Sequence, residues 1–301
     1  MAIRFDRNFD PAYGEAVELV PGIRRLTARN PGGYTFHGTN TYLLGTAALV
    51  VVDPGPDDPA HRAAILAAAG GRPIREILVT HTHRDHSPGA RPLAAATGAA
   101  VIGCGPHVFS RPLHLGEATA LDASADADHA PDRILSDGER VATAAGPVTA
   151  LATPGHTANH LCFALEEAGV LISGDHVMAW STTIVAPPDG AMAPYMASLA
   201  RLAERPEALY LPGHGGPVCD AHAFLAGLAE HRLAREAAVL AAVAAGARTI
   251  PEIVATVYAD TDRRLWGAAG LSVFAQLEWL VEKGVVATDG DPVLTGAYAA
   301  A

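Results

Sequence analysis

The residues best suited to chemistry lie in one short segment, THTHRDHSPGA at residues 80–90. Within six residues it carries three imidazoles and one carboxylate: His81, His83, Asp85 and His86. These groups are metal ligands, and four of them are too crowded for one tetrahedral ion but can be divided between two adjacent ions. Clustered histidines alone fit a solvated polar turn about equally well, so the rest of the chain must decide.

Three further polar residues stand at the ends of apolar runs. They are His156 in TPGHT, Asp175 in LISGDH and His214 in LYLPGHGG, and each has a glycine beside it that permits close backbone approach. A single example would be more typical of a loop residue or a hydrogen-bonded core histidine. Four sites of one form in one chain favour a metal centre instead. Imidazole nitrogen with carboxylate oxygen suits Zn²⁺ best, with Fe and Mn as alternatives.

Short strands and Ala-rich helices must position these residues. The strand EILVT, residues 76–80, leads directly into the histidine-rich segment. Apolar, partly β-branched runs predict further strands at 40–45, 47–53, 99–102, 147–152, 160–165, 169–173 and 207–211. Helices are expected at about 60–69 and 92–97, whereas 103–131 shows no clear periodicity and is expected to be an irregular insertion.

The last part of the chain has a helical pattern. An apolar stripe predicts a helix over about 221–245, and Thr249 with Glu252 forms a capping box that opens a second helix. A third apolar stripe ends at Gly284, and its members are Leu271, Phe274, Leu277 and Leu280. VVAT, a turn at Asp289-Gly290, and PVLT then predict a hairpin. Three helices and a hairpin are typical of a winged helix over roughly residues 225–301.

The seven candidate ligands resemble the pattern of the metallo-β-lactamase superfamily over about residues 15–220. The resemblance implies an α+β fold, an αββα sandwich of two β-sheets between outer helices, over residues 1–224, followed by the small winged-helix-like domain at 225–301. It also implies two zinc ions per chain. The first would be held by His81, His83 and His156, the second by Asp85, His86 and His214, and Asp175 would bridge them.

Details of the pattern narrow the resemblance. No ligand is substituted, and the cysteine ligand of some true β-lactamases is absent, so antibiotic hydrolysis is not expected as the main role. Pro88 departs from the glycine of many relatives, which affects the turn. Residues 174–192 and the C-terminal tail resemble the subgroup of beta-lactamase-like protein 2, which includes a single-strand endoribonuclease and fungal acyl-carrier-protein thioesterases. Asp53 in VVDPG matches a position that supports the metal-binding loops, or it is a turn-initiating residue before Pro54.

Other polar residues are weaker candidates. Strand alternation predicts that His176 points away from the site, and His160 is expected to support the site from behind or to belong to the strand. His37, Thr39 and Asn40 lie in NPGGYTFHGTN, which forms either a substrate-contacting loop or an ordinary surface hairpin. Surface roles are expected for the histidines of the insertion, and a core role for one cysteine: His107, His114, His129 and Cys162.

Composition sets the broad class. The 301 residues include 21 Lys and Arg against 32 Asp and Glu, and half are hydrophobic, which argues against disorder. Three cysteines exclude a disulfide scaffold, and the longest apolar stretch, roughly 237–247, is too short to span a membrane. The first residues offer no apolar signal region, so a cytoplasmic protein is expected. A chain whose single lysine is Lys283 is a poor polyanion binder.

The first functional hypothesis is a metal-dependent hydrolase of a small ester, thioester or lactone. A water molecule activated between two metals would be the nucleophile, with Asp85 as the catalytic residue that orients it and moves its proton. The partner is then a small-molecule substrate, with homo-oligomerisation left open. Glutathione thioesters are disfavoured, because the resemblance places a cationic helical tail on hydroxyacylglutathione hydrolases and this chain has a winged helix there.

Two alternatives come from other classes. An endoribonuclease of single-stranded RNA is opposed by charge, since residues from 231 onward carry six cations against eight acids. Arg84, Arg91 and Arg111 could still form a groove for a phosphate chain, so nucleic acid stays the second choice. A non-catalytic, metal-stabilised binding protein is the third and least favoured alternative. Structural zinc sites are usually closed by four protein ligands, whereas seven candidate ligands around an open position are expected here.

Overall fold

Two β-sheets pack face to face in the computed structural model, which describes residues 3–115 and 124–301. The first sheet follows chain order: β1 Val17–Val20, β2 Ile23–Thr27, β3 Asn40–Leu44, β4 Leu49–Val52, β5 Ile74–Val79, β6 Ala100–Gly103 and β7 Arg133–Ile134. The second has the order β12-β11-β10-β9-β8: β8 Arg140–Thr143, β9 Gly146–Ala152, β10 Leu161–Leu165, β11 Val170–Gly174 and β12 Leu209–Pro212. Pairing is antiparallel from β1 to β4 and from β8 to β11, and parallel elsewhere.

The core lies between the two sheets, as strand β10 illustrates. Leu161, Phe163 and Leu165 alternate into the cluster shared with the first sheet. Cys162 and Ala164 point to the opposite side, into a second cluster. Because successive side chains of a strand face opposite ways, an apolar run of this kind is buried on both faces. The core position expected for Cys162 is confirmed, with the side chain fully buried.

Helices cover both outer faces. On the first sheet lie α1 Pro59–Ala69 and α2 Ala90–Thr97, which reach the core through Ile65 and Leu93. On the second lie α3 Met192–Ala203 and the first half of α4 Ala221–Ala244, through Tyr195, Leu199 and Leu225. The layers are therefore helix, sheet, sheet and helix, and the predicted αββα sandwich is confirmed.

The C-terminal region is a winged helix with its own core. It contains α5 Ile250–Val257, α6 Trp266–Glu282 and the hairpin of β13 Val286–Thr288 with β14 Tyr298–Ala300. The capping box is present, with the Thr249 side chain accepting from the third helical backbone N–H and the Glu252 side chain accepting from Thr249. The second hairpin strand was predicted at PVLT, residues 292–295, and this is wrong. The strand begins instead at Tyr298, whose ring is buried. Pro292, the first residue of the predicted strand, has no N–H to donate to a ladder.

Helix α4 connects the two regions. Leu225 and Leu228 near its start belong to the core on the second sheet, whereas Val239 and Val243 belong to the C-terminal core. The helix runs unbroken through residue 225. The division into 1–224 and 225–301 therefore stays a prediction.

The predicted irregular insertion is confirmed where the structure describes it. Residues 104–115 and 124–132 contain no helix or strand apart from an isolated bridge between Ala125 and His83. The remainder of the insertion, 116–123, lies outside the described residues. No helix in the described part of the chain has both the length and the apolar character needed to cross a membrane.

Candidate metal centre

The candidate ligands lie where strands of both sheets end at one edge of the sandwich. His81 follows β5, His156 follows β9, Asp175 follows β11 and His214 follows β12. The backbone approaches these side chains closely: a Cβ on Gly213 would lie 2.3 Å from Oδ1 of Asp175. Only glycine fits at position 213, which explains the glycine that precedes His214.

Three imidazole nitrogens form the first group. Nδ1 of His83 lies 3.2 Å from Nε2 of His81 and 3.0 Å from Nε2 of His156. A tetrahedral zinc site with bonds of about 2.0–2.1 Å has ligand atoms roughly 3.3 Å apart. Both distances match that spacing, and the three nitrogens form one potential metal-binding group.

Two imidazoles and a carboxylate form the second group. Oδ2 of Asp85 lies 3.3 Å from Nε2 of His86 and 3.2 Å from Nε2 of His214, and the two nitrogens are 3.4 Å apart. Asp175 stands between the groups. Its Oδ2 lies 3.6 Å from Nε2 of His156 and 3.2 Å from Nε2 of His214, and its Oδ1 lies 3.5 Å from Nε2 of His86. This buried Oδ1 has no hydrogen-bond partner among the described residues, which fits an atom that binds a cation.

The opposite ring nitrogen of each histidine meets an acceptor. These pairs are His81 with the Thr80 hydroxyl at 2.9 Å, His83 with Asp189 at 2.9 Å, His86 with Asp53 at 2.9 Å, His156 with the Ile184 carbonyl at 2.7 Å and His214 with the Gly38 carbonyl at 3.1 Å. Since these nitrogens donate outward, the nitrogens that face the centre keep their lone pairs. All five imidazoles are thus held in the tautomer that a metal requires.

The electrostatics of the centre favour a cation. Burial opposes ionisation, yet His214 and His86 hold the pKa of Asp175 well below its ordinary range, and the same histidines hold that of Asp85 down. In return, and again against burial, Asp175 and Asp85 raise the pKa of His214 to about 10. Burial and the nearby His83 lower the pKa of His156 to about 4. The two carboxylates supply oxygen ligands beside the imidazole nitrogens, a donor set that suits a divalent cation.

All seven predicted ligands therefore converge. The supporting position expected for Asp53 is also present. Its Oδ1 accepts from the Thr80 N–H at 2.8 Å, and its Oδ2 accepts from the Thr80 hydroxyl at 2.7 Å and from His86. Asp53 also adopts a φ of +48°, a strained conformation for a residue with a side chain. It holds the loop of the first ligands to strand β4.

The NPGGYTFHGTN segment divides into two parts. Thr39 and Asn40 are fully buried, so the surface-hairpin interpretation is wrong for them. The Thr39 hydroxyl donates to Oδ2 of Asp85 at 3.0 Å, and the Asn40 amide donates to the carbonyls of Pro212 and Gly215, which flank His214. Both residues thus position ligands. His37 is only partly buried and lies 4.2 Å from the Phe36 ring, outside the ligand groups.

The other histidines have structural positions. His176 is fully buried on the far side, packed on Tyr195, as strand alternation predicts. Nε2 of His160 accepts from the Asp175 N–H at 3.2 Å, which confirms its supporting position. The surface role predicted for His129 is wrong: the ring is buried and bonds to the Cys104 carbonyl.

The remaining two histidines of the insertion are partly buried. Nδ1 of His107 bonds to the Thr82 hydroxyl at 3.0 Å, and Nδ1 of His114 bonds to the Pro292 carbonyl at 2.7 Å. Both keep partial exposure and lie outside the ligand groups, in agreement with the expected surface role.

Asp189 is a functional candidate that the sequence patterns do not identify. It is buried, and its Oδ2 bonds to His83, while Nε2 of His107 lies 3.8 Å from its Oδ1. The residue follows APP in a segment without strand periodicity, so no pattern in the sequence singles it out.

A cavity of about 360 Å³ opens over the two ligand groups. Its floor is formed by ligands, and its lining among the described residues is Tyr34, Thr35, His83, Arg84, Asp85, Ser124, His156, Asp175, Met178, Ile184, Ala186, Asp189, His214 and Leu271. The proposed arginine groove is not formed. Arg84 lines this cavity, but Arg91 pairs with Asp132 on the surface, and Arg111 pairs with Glu278 beside a separate cleft.

Comparison with known proteins agrees with this geometry. Residues 34–214 match the family model of the metallo-beta-lactamase superfamily, and residues 249–296 match that of the beta-lactamase associated winged helix domain. The lactamase-like protein vrtG of Penicillium aethiopicum is 31% identical over 89% of this chain and 84% of that protein. A beta-lactamase-like protein 2 homolog of Caenorhabditis elegans is 29% identical over 89% and 87%.

A thioesterase and a solved structure are also similar. The atrochrysone carboxyl ACP thioesterase of Aspergillus chevalieri is 29% identical over 82% of this chain and 77% of that protein. The crystal structure of a beta-lactamase domain protein from Burkholderia ambifaria has a TM-score of 0.78 and 25% identity, and covers 99% of this chain and 97% of that one. The resemblance inferred from the ligand pattern is thereby confirmed, and this chain belongs to the metallo-beta-lactamase superfamily of hydrolases.

Proposed function

We propose that this protein is a two-metal hydrolase that cleaves a small carboxylic ester, thioester or lactone. One observation carries the proposal: five imidazoles, each bonded outward to an acceptor, direct their lone pairs at two points that share the Asp175 carboxylate. Zn²⁺ is the cation best suited to this mixture of nitrogen and oxygen, and Fe or Mn ligate similarly.

The residues at each position have distinct roles. His81, His83 and His156 would hold the first cation, Asp85, His86 and His214 the second, and Asp175 would contact both. When bound, the pair of cations would supply Lewis acidity and lower the pKa of water enough for attack near neutral pH. Hydrolysis adds water across the acyl bond: the water oxygen bonds to the acyl carbon, the C–O or C–S bond breaks, and the leaving alcohol or thiol takes a proton.

Asp85 is the group of this chain placed to move that proton. Its carboxylate is ionised, since His86 and His214 hold its pKa low against burial, and a quarter of its side chain remains exposed to the cavity. The Thr39 hydroxyl donates to Oδ2 and fixes the rotamer. Asp85 therefore orients the attacking water and accepts its proton.

The cavity supports a small substrate rather than a polymer. A volume of about 360 Å³ lies within the usual range for small-molecule sites. Arg84 is the single cation among the described residues that line it, which is poor provision for a phosphate backbone. A thioester is consistent with the similarity to the Aspergillus thioesterase. A cytoplasmic location is part of the same proposal.

Metal analysis together with a substrate panel tests the proposal. We expect about two transition-metal ions per chain in freshly purified protein, and turnover of at least one member of a panel of aryl esters, acyl thioesters and lactones. Asp175→Ala should lose metal and turnover together, whereas Asp57→Ala, at an exposed aspartate paired with Arg62, should keep both. Full metal content with no hydrolysis of any carbonyl substrate, or hydrolysis of labelled single-stranded RNA alone, would overturn the assignment.

A further inference from the structure

The walls of the cavity differ chemically from its floor. The floor consists of candidate metal ligands, whereas the lining also carries Met178, Ile184 and Ala186, here called the apolar wall. Leu271 of helix α6 also lines the cavity. Arg84 and Ser124 lie elsewhere in the lining, with the Arg84 guanidinium donating to the Ala125 carbonyl. The lining thus combines apolar side chains with polar ones around the ligand groups.

The apolar wall is held firmly. Its segment follows Asp175, and the Thr183 hydroxyl donates to the carbonyls of Asp175 at 2.6 Å and His176 at 3.0 Å. Arg232 of helix α4 donates to the Thr183 carbonyl, and its guanidinium lies over the Tyr195 ring. The Ile184 carbonyl accepts from His156. The wall is thereby fixed to a candidate ligand and to the second layer of helices, so its shape is preformed.

Leu271 is the contribution of the winged helix to this site. It is partly buried, and it is the one residue beyond position 214 among the described residues that line the cavity. Its neighbours Val273 and Phe274 belong to the C-terminal core, which anchors this turn of α6. The side chain at position 271 is therefore placed by the C-terminal region but lines the cavity over the ligands.

We propose that Met178, Ile184, Ala186 and Leu271 form a subsite for the apolar acyl chain of the substrate, and that Leu271 sets the chain length accepted. This rests on the proposed function, since the acyl carbon must reach the floor while the chain attached to it runs along a wall. The carrier thiol of a thioester is the polar half of such a molecule and suits the side of Arg84 and Ser124. The winged helix thus determines the size of the substrate.

Two series of thioesters test the assignment. The first contains N-acetylcysteamine thioesters with acyl chains of two to ten carbons; the second contains acetyl thioesters of alkanethiols of the same lengths. In the first series, kcat/KM of the wild type should rise about fourfold per methylene until the cavity is full. In the second it should not rise. A dependence on thiol length in place of acyl length would overturn the proposal.

Variants at position 271 supply the matched comparison. Leu271→Ala removes three carbons and should move the optimum toward longer acyl chains, changing the ratio of long- to short-chain kcat/KM by about tenfold. Leu271→Phe should move it the other way, and both should leave the metal content unchanged. Leu265→Ala, at an exposed leucine beside the start of α6, is the control. An unchanged profile in both variants, or an equal shift in the control, would refute the role of Leu271.

Binding of uncleavable ligands separates this proposal from the proposed function. Thioethers of N-acetylcysteamine with alkyl chains of the same lengths cannot be hydrolysed, and their Kd is measured by calorimetry. Tighter binding with chain length, weakened by Leu271→Phe, would support the subsite even if no thioester were turned over. If Kd did not depend on chain length while the thioesters were hydrolysed, the subsite would be refuted and the hydrolase would stand.

Discussion

Replacing Asp189 with Asn tests whether the metal centre depends on the groups behind its ligands. The carboxylate accepts from Nε2 of His83 at 2.9 Å in a buried position, so Nδ1 of His83 keeps its lone pair for the first cation. Asn has the same shape and can still accept through its amide oxygen, but it carries no charge. The substitution therefore weakens one bond without removing it.

The size of the effect follows from the strength of that bond. A hydrogen bond that involves a charged group contributes about 1.5–3 kcal/mol, and one between neutral groups about 0.5–1.5 kcal/mol. The difference is about 1–1.5 kcal/mol, which is roughly a tenfold loss of metal affinity. The loss of affinity should affect the cation bound by His81, His83 and His156, since the other group has its own supporting carboxylate in Asp53. Asp53→Asn should accordingly weaken the second cation preferentially.

The assay is competition for Zn²⁺ against a chelating dye, which resolves two dissociation constants, alongside thermal unfolding of the metal-free protein. Asp128→Asn, at an exposed position of the insertion, is the control. A merely structural role would lower the unfolding temperature of the metal-free protein and leave the ratio of the two constants unchanged. Wild-type affinity at both positions in Asp189→Asn would refute the reasoning.

Three further outcomes follow from the packing. Gly213→Ala should weaken metal binding at least tenfold in the same dye titration, because its Cβ would lie 2.3 Å from Asp175 Oδ1. Gly216→Ala, whose Cβ would come no nearer than 3.8 Å to its neighbours, should bind metal with normal affinity. Burial lowers the pKa of His61 to about 4 from an ordinary 6.5, so between these values the unfolded chain binds more protons than the folded one and stability decreases as the pH is lowered. Relative to His61→Gln, urea unfolding should show a loss of about 2 kcal/mol when the pH is lowered from 7.5 to 5, and parallel pH curves would contradict this. Phe274→Ala should destabilise the C-terminal core by about 3–5 kcal/mol in urea unfolding without changing metal content, and simultaneous metal loss would show that the two regions unfold together.

The ligands were predictable because their chemistry and their position coincide. His81 and the ligands of the second sheet come just after strand ends that meet at one edge of the sandwich, and the other ligands lie within five residues of His81. Asp189 could not be found in this way, and Thr39 was a candidate for substrate contact but not for holding Asp85. Both act through contacts between segments distant in the chain, 106 residues from His83 and 46 residues from Asp85 respectively. No local pattern records such a contact.

For the fold, too, elements with a strong local sequence pattern were predictable and others were not. The central strands, the Ala-rich helices and the capping box carry strong local patterns and lie close to their predicted ranges. Strand β2 was missed because IRRLT interrupts its apolar run with two arginines, whose charged ends extend to the Ala68 and Asp10 carbonyls. Helix α3 was missed because Pro194 suggests a loop, although a proline in the first turn of a helix costs no hydrogen bond.

The origin of the ligands has a consequence for the lifetime of the folded chain. Each group takes two ligands from the loop after β5 in the first sheet and one from a loop of the second sheet, His156 or His214. A cation bound to either group would therefore cross-link the two halves of the sandwich and would have to leave before they separate. At a free concentration one hundred times its Kd, such an ion adds about 2.7 kcal/mol to the free energy of unfolding. Chelation should then expose the interior to proteolysis at temperatures where the loaded protein resists it.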